Sequence, residues 1–120
     1  MKLHLIGAAL ALTLAGTATQ ALAHAHLVAA DPAANAVAPA PKQLTLKFSE
    51  RLEPKFSGLA VTMPQMSGMA AAAKVEVSPD GKSLIATPSA PLSAGVYKVS
   101  WHAVTADTHR TEGAFTFTVR

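Results

Sequence analysis

The 120-residue sequence contains no cysteine, and only 14% of its residues are charged. Without cysteine the chain has no disulfide, no thiolate metal site and no cysteine nucleophile, so a bound metal would need His, Asp, Glu, Met or backbone donors. Its net charge of +3 includes no run of Lys or Arg, which argues against a nucleic-acid-binding protein. The length leaves room for one domain and excludes a multidomain enzyme.

The first segment has the pattern of a secretory signal peptide. Lys2 precedes an uncharged apolar run over residues 5–18, and small residues follow. That run is shorter than the about 20 residues of a membrane-spanning helix. We therefore predict a signal peptide over residues 1–25, export out of the cytoplasm, and a mature domain over residues 26–120 that does not span the membrane.

Two cleavage positions fit the small-residue rule for signal peptides. Cleavage after Ala25, which we favour, leaves His26 as the first residue, whereas cleavage after Ala23 leaves His24-Ala25-His26. Both place a free α-amine close to an imidazole, and cleavage after Ala23 gives an amine with a histidine at the third position, which is itself a square-planar binding arrangement for Cu(II) or Ni(II). An α-amine has an ordinary pKa of about 7.7–8.0, so Cu(II) can displace its proton near neutral pH.

Short runs of alternating apolar residues predict an all-β fold. They favour an immunoglobulin-like, Greek-key β-sandwich or barrel of six or seven strands. The Ser78-Pro79-Asp80-Gly81 turn predicts a hairpin, and residues 70–73 fit a helical turn or a loop. Trp101 is expected between the sheets and His102 on a solvated face. The predicted strands are 43–49, 58–62, 74–77, 83–87, 95–104 and 113–119.

Two residue groups have the chemistry of copper sites. Asp107 and His109, two positions apart, would face the same way and, with the amine and ring of His26, would supply the three nitrogens and one oxygen that suit Cu(II). Alone, an Asp-x-His pair is more often a capped turn beside a solvated histidine. Methionines 63, 66 and 69 lie in a Pro- and Gly-containing segment. Their thioethers favour Cu(I), and an exposed partner-binding patch is the alternative.

The sequence resembles the CopC family of periplasmic copper resistance proteins over essentially the whole mature chain. The resemblance is carried by His26-Leu27-Val28 with Asp31-Pro32-Ala33, by residues 46–50, and by Trp101-His102 through Asp107-Thr108-His109 to residues 113–117. It implies a Greek-key β-domain that binds Cu(II) through His26, Asp107 and His109. In some members a Met-rich loop, here Met63, Met66 and Met69, binds Cu(I). Unlike relatives with a strong Cu(I) site, this segment contains no histidine.

The expected function is therefore a copper carrier without turnover. The resemblance implies transfer of copper to a CopD-type inner-membrane transporter or to other periplasmic copper proteins. No nucleophile triad, phosphate-binding glycine loop or acid–base carboxylate pair is present. Two other functions stay open: a copper monooxygenase with a histidine-chelate active site, and a metal-free immunoglobulin-like interaction module.

Overall fold

The computed structural model describes residues 24–120, which form an all-β domain as predicted. The predicted signal peptide lies outside the described residues except for its last two, His24 and Ala25. No helix within residues 24–120 is long and apolar enough to cross a bilayer. A 3₁₀ helix spans Pro64–Met66, and the strands are β1 (Leu27–Asp31), β2 (Val37–Ala38), β3 (Leu44–Phe48), β4 (Gly58–Met63), β5 (Met69–Ala71), β6 (Ala73–Val77), β7 (Ser83–Pro88), β8 (Gly95–Val104) and β9 (Arg110–Val119).

The strands form two sheets, and the predicted β-sandwich is confirmed. One sheet has the order β1-β3-β7-β6 and the other the order β2-β9-β8-β4-β5. All neighbours are antiparallel except β2 and β9, which are parallel. Alternating apolar residues bury one face of each sheet against the other. The largest fully buried side chains are Tyr97, Phe48, Phe117, Leu44, Leu46, Leu84 and Val99.

Strand prediction succeeded where apolar alternation is long and failed where it is short. Strand β8 has the predicted bounds, and β6 and β7 pair across the predicted hairpin turn. The count of six or seven was wrong, because the described part of the chain has nine strands. Strands β1, β2 and β5 were not predicted. Residues 70, 71 and 73 belong to β5 and β6, with Ala72 between the two strands, rather than to a helical turn. These segments are rich in Ala, which gives little periodic signal.

Trp101 joins the two sheets near one end of the sandwich. Its ring packs edge-on against Phe48 of the opposite sheet, with 5.1 Å between ring centroids, as expected for a residue between sheets. Its cross-strand neighbour is Gly113, where an added Cβ would lie 2.7 Å from Trp101 Cζ2. Gly113 therefore lets the indole lie flat across β9.

Candidate metal centre

The loop between β8 and β9 holds Asp107 and His109 in a tight turn. The Thr108 amide donates to the Thr105 carbonyl at 2.9 Å, and the Thr105 amide donates to the His109 carbonyl at 3.2 Å. Thr108 has a φ of 69°, a left-handed conformation that reverses the chain. The turn brings His109 Nδ1 to 2.8 Å from Asp107 Oδ2, so the predicted convergence of these two side chains is seen.

The Asp107 carboxylate accepts several hydrogen bonds within this loop. The hydroxyl of Thr105 donates to it, and so does the His109 amide, at 3.3 Å. The Thr105 hydrogen bond, followed by the His109 interactions, holds the pKa of Asp107 well below its ordinary value. The carboxylate is therefore ionised at neutral pH. Its Oδ1 accepts from both Thr105 and the His109 amide, whereas Oδ2 keeps acceptor capacity for a cation beside His109 Nδ1.

The imidazole of His109 has one nitrogen available for a metal ion. With the proton on Nδ1, which donates to Asp107, the lone pair of Nε2 is free. The side chains of His109 and Asp107 are 58% and 41% exposed. An ion can thus reach the pair directly from solvent.

The histidine ring that meets His109 is that of His24. Their ring centroids are 4.8 Å apart in an edge-on arrangement. His26, the predicted N-terminal ligand, is exposed, and its amide donates to the Ser49 hydroxyl at 2.9 Å. The structure thus brings together His24, Asp107 and His109, with the exposed His26 two residues further along the chain.

Two hydroxyl side chains anchor the segment that carries His24. Thr111 Oγ1 donates to the Ala25 carbonyl at 2.8 Å, and the Ser49 hydroxyl accepts from the His26 amide at 2.9 Å and donates to the His24 carbonyl at 3.5 Å. Ala25 is 2% exposed and belongs to the hydrophobic core. Ala25 is therefore held in place, and His24 directly precedes it. We did not anticipate Ser49 or Thr111 from the sequence, because neither forms part of a local motif.

The described side chains alone do not make a complete metal site. Within residues 24–120, no three His, Asp or Glu side chains are grouped closely enough to hold an ion. In the 120-residue chain the His24 nitrogen belongs to a peptide bond, so cleavage before His24 would add a donor that the uncleaved chain lacks. The donors that fit are an amine, two imidazoles and a carboxylate, a tetragonal N/O set that suits Cu(II).

Open clefts flank the Asp107–His109 loop on two sides. One, of about 440 Å³, lies beside Asp107 and is bordered by Arg51 and Lys82. The other, of about 500 Å³, is bordered by Phe56, His102 and Arg110 among others. His102, expected on a solvated face, is half-buried.

The three methionines lie at the other end of β8. Met63 ends β4 and pairs with Met69 at the start of β5, with Met66 in the 3₁₀ helix between them. Met66 and Met69 are each 55% exposed, whereas Met63 is half-buried against the core. Thr62, which precedes Met63 in β4, pairs with Lys98 of β8. Lys98 lies six residues before Val104, where β8 ends and the Asp107–His109 loop begins. At about 3.4 Å per residue, the methionines lie roughly 20 Å from the Asp107–His109 loop.

Comparison with known protein families identifies relatives of this chain. The model of the CopC domain matches residues 27–120. The chain belongs to the CopC family. Copper resistance protein C of Escherichia coli is 44% identical over 111 residues, with 88% of each chain covered. The protein of the same name from Pseudomonas syringae pv. tomato is 43% identical, with 88% of this chain and 90% of the relative covered.

Solved structures of CopC-family relatives have the same fold. The crystal structure of PcoC, described as a methionine-rich copper resistance protein from Escherichia coli, matches with a TM-score of 0.76 and 44% identity. That match covers 82% of this chain and 100% of PcoC. CopC from Methylosinus trichosporium OB3b matches with a TM-score of 0.72 and 28% identity, over 80% of this chain and 93% of the other.

Proposed function

We propose that this CopC-family chain is a periplasmic copper carrier for copper resistance. It binds Cu(II) through the amine and imidazole of its N-terminal histidine together with Asp107 and His109. The observation that carries the proposal is the edge-on contact of the His24 and His109 rings, beside the hydrogen bond of His109 to Asp107. The names of the relatives, which are copper resistance proteins, support copper as the cargo.

The geometry favours His24 over His26 as the terminal ligand. His24 contacts His109, whereas the nitrogen that cleavage after Ala25 would free, that of His26, is hydrogen-bonded to Ser49. Cleavage after Ala25 would also remove a residue that is buried in the core. We therefore propose cleavage after Ala23. Cleavage after Ala25, with His26 as the ligand, is the competing prediction.

The protein acts in this proposal by holding and releasing copper. Three nitrogens and one carboxylate oxygen suit Cu(II), and protons compete with the ion for the nitrogen donors. The exposed position of the loop lets copper pass to a second protein without opening the sandwich. A CopD-type inner-membrane transporter or another periplasmic copper protein is the proposed recipient.

The decisive experiment begins with the intact mass of the exported protein, which identifies the free amine. Cu(II) is then titrated into the wild type, His109→Ala and the matched control His102→Ala. We expect His109→Ala to lose most of the affinity and His102→Ala to keep it. Equal affinity of His109→Ala and the wild type would refute the role of His109, and the absence of Cu(II) binding by both would favour the metal-free interaction module. Peroxide production that depends on a reductant would favour the monooxygenase.

Cu(I) binding by Met63, Met66 and Met69 is a second proposed function. Its support is the exposure of Met66 and Met69, because methionines that only filled the core would be buried. The hairpin pairing of Met63 with Met69 keeps two of the sulfur-bearing residues opposite each other. Thioether donors select Cu(I) over Cu(II), so this end of the sandwich would bind the reduced ion.

A further inference from the structure

The peptide group between Ala25 and His26 is held at both ends. Its carbonyl accepts from Thr111 of β9 at 2.8 Å, and its N–H donates to Ser49, which follows β3, at 2.9 Å. Thr111 lies in the sheet of β9, and Ser49 directly follows β3 of the other sheet. The peptide group can rotate only by breaking both hydrogen bonds and moving the buried Ala25 methyl group.

This restraint bears on a second way in which a chain that begins His24-Ala25-His26 can bind a metal ion. The amine, the backbone nitrogens of Ala25 and His26 and the His26 ring can form a square plane of four nitrogens, which suits Cu(II) and Ni(II). Each backbone nitrogen that binds releases its proton to solvent, and the ion takes the place of that proton. We call this arrangement the four-nitrogen chelate.

The folded segment is incompatible with the four-nitrogen chelate. His26 N cannot bind an ion while its N–H donates to Ser49. The chelate also needs the backbone nitrogens of Ala25 and His26 to point toward the same ion. Ala25 is buried in the core, so turning its nitrogen and that of His26 toward one ion would move its side chain and break the hydrogen bond of its carbonyl to Thr111.

We propose that Ser49 and Thr111 are positioning residues that suppress the four-nitrogen chelate. They thereby reserve the terminal histidine for the site with Asp107 and His109. This inference rests on the proposed function, in which the mature chain begins at His24. It also gives the site selectivity against Ni(II), because square-planar Ni(II) is stabilised by the strong field of four nitrogens and less by a site with one carboxylate oxygen.

The test uses mature protein whose mass confirms a His24 terminus. Ni(II) is titrated at neutral pH into the wild type and the double variant Ser49→Ala/Thr111→Val. The control is Ser100→Ala/Thr116→Val, which makes the same types of substitution on the β8–β9 hairpin that carries Thr111. We expect the double variant alone to gain the absorption of square-planar Ni(II), with affinity raised about 30-fold. That factor corresponds to two hydrogen bonds of about 1 kcal/mol each. With Cu(II), its visible band should move to shorter wavelength.

Two further variants test the mechanism. Adding His26→Ala to the double variant should abolish the Ni(II) signal, whereas Thr111→Ser, which keeps the hydroxyl, should behave as the wild type. Equal Ni(II) binding by the wild type and the double variant would overturn the inference, and so would a signal that survives His26→Ala. The thermal transition of each variant reports folding. The proposed function fails separately, if His109→Ala leaves Cu(II) affinity unchanged.

Discussion

Two nearby histidines offer a matched pair of substitutions at the candidate copper site. His24→Ala removes the imidazole that contacts the His109 ring at a centroid distance of 4.8 Å, and it keeps the terminal amine and the anchored Ala25. His26→Ala removes an exposed ring two residues away and leaves the backbone hydrogen bond to Ser49 in place. The two variants have the same composition, so a difference in copper affinity reports position alone.

The expected difference follows from the role that each ring has in the structure. Loss of a group that only supports a metal ligand costs about 10–100-fold in affinity. Loss of a ligand should cost at least the upper end of that range, so we expect His24→Ala to weaken Cu(II) binding by about 100-fold or more. That corresponds to about 2.7 kcal/mol. His26→Ala should change the affinity by less than about twofold, because its ring is exposed to solvent.

Competition titration with a chromogenic Cu(II) chelator measures both affinities on protein of verified mass. Cu(II) EPR adds a count of the nitrogen donors, which should fall by one in His24→Ala and stay constant in His26→Ala. A larger loss for His26→Ala than for His24→Ala would refute the reasoning. It would restore His26 as the terminal ligand.

Three further predictions concern stability, pH and the methionines. Gly113→Ala places a Cβ 2.7 Å from the Trp101 ring, so calorimetry should show a loss of about 1–3 kcal/mol, and an unchanged melting temperature would contradict the packing argument. The hydrogen bonds from a threonine hydroxyl and then from His109 lower the pKa of Asp107, so this carboxylate stays ionised as acid displaces copper from the nitrogens. Asp107→Asn should therefore weaken Cu(II) binding by a similar factor across the pH range of release and raise the pH midpoint of release, because protons displace the ion more easily from a weaker site; a loss of affinity that vanishes at the acid end of that range would mean that the carboxylate itself titrates there. Replacing Met66 and Met69 by Leu, which keeps their apolar bulk, should weaken Cu(I) binding about tenfold or more and leave Cu(II) affinity intact; unchanged Cu(I) affinity would favour a partner-binding patch.

How well each strand could be predicted depended on the length of its alternating apolar pattern. The ten residues of β8 alternate clearly, and their bounds were predicted. Strand β9 begins at Arg110, three residues before the predicted Gly113, because Arg110, Thr111 and Glu112 carry no apolar signal and are ordered by pairing with β8. The two-residue β2 depends wholly on its pairing with β9, which no local pattern encodes.

The candidate site divides in the same way between local and distant information. Asp107 and His109 are two residues apart in one turn, so their convergence could be predicted from spacing. The placement of the N-terminal segment depends on Ser49, 23 residues from His26, and on Thr111, 86 residues from Ala25. Only the assembled sandwich brings these groups together, which is why the sequence alone favoured His26 over His24 as the terminal ligand.

The burial of Ala25 makes the terminus sensitive to a shift of a single residue. Because Ala25 is fixed in the core, a mature chain that starts at His24 has one residue of free length, and ordering it around an ion costs only about 1–2 kcal/mol of backbone entropy. One extra residue left by a cloning scar would move the amine by roughly 3.3–3.6 Å and separate it from its own imidazole. Recombinant material for copper work must therefore be made by authentic processing or by a protease that leaves no overhang.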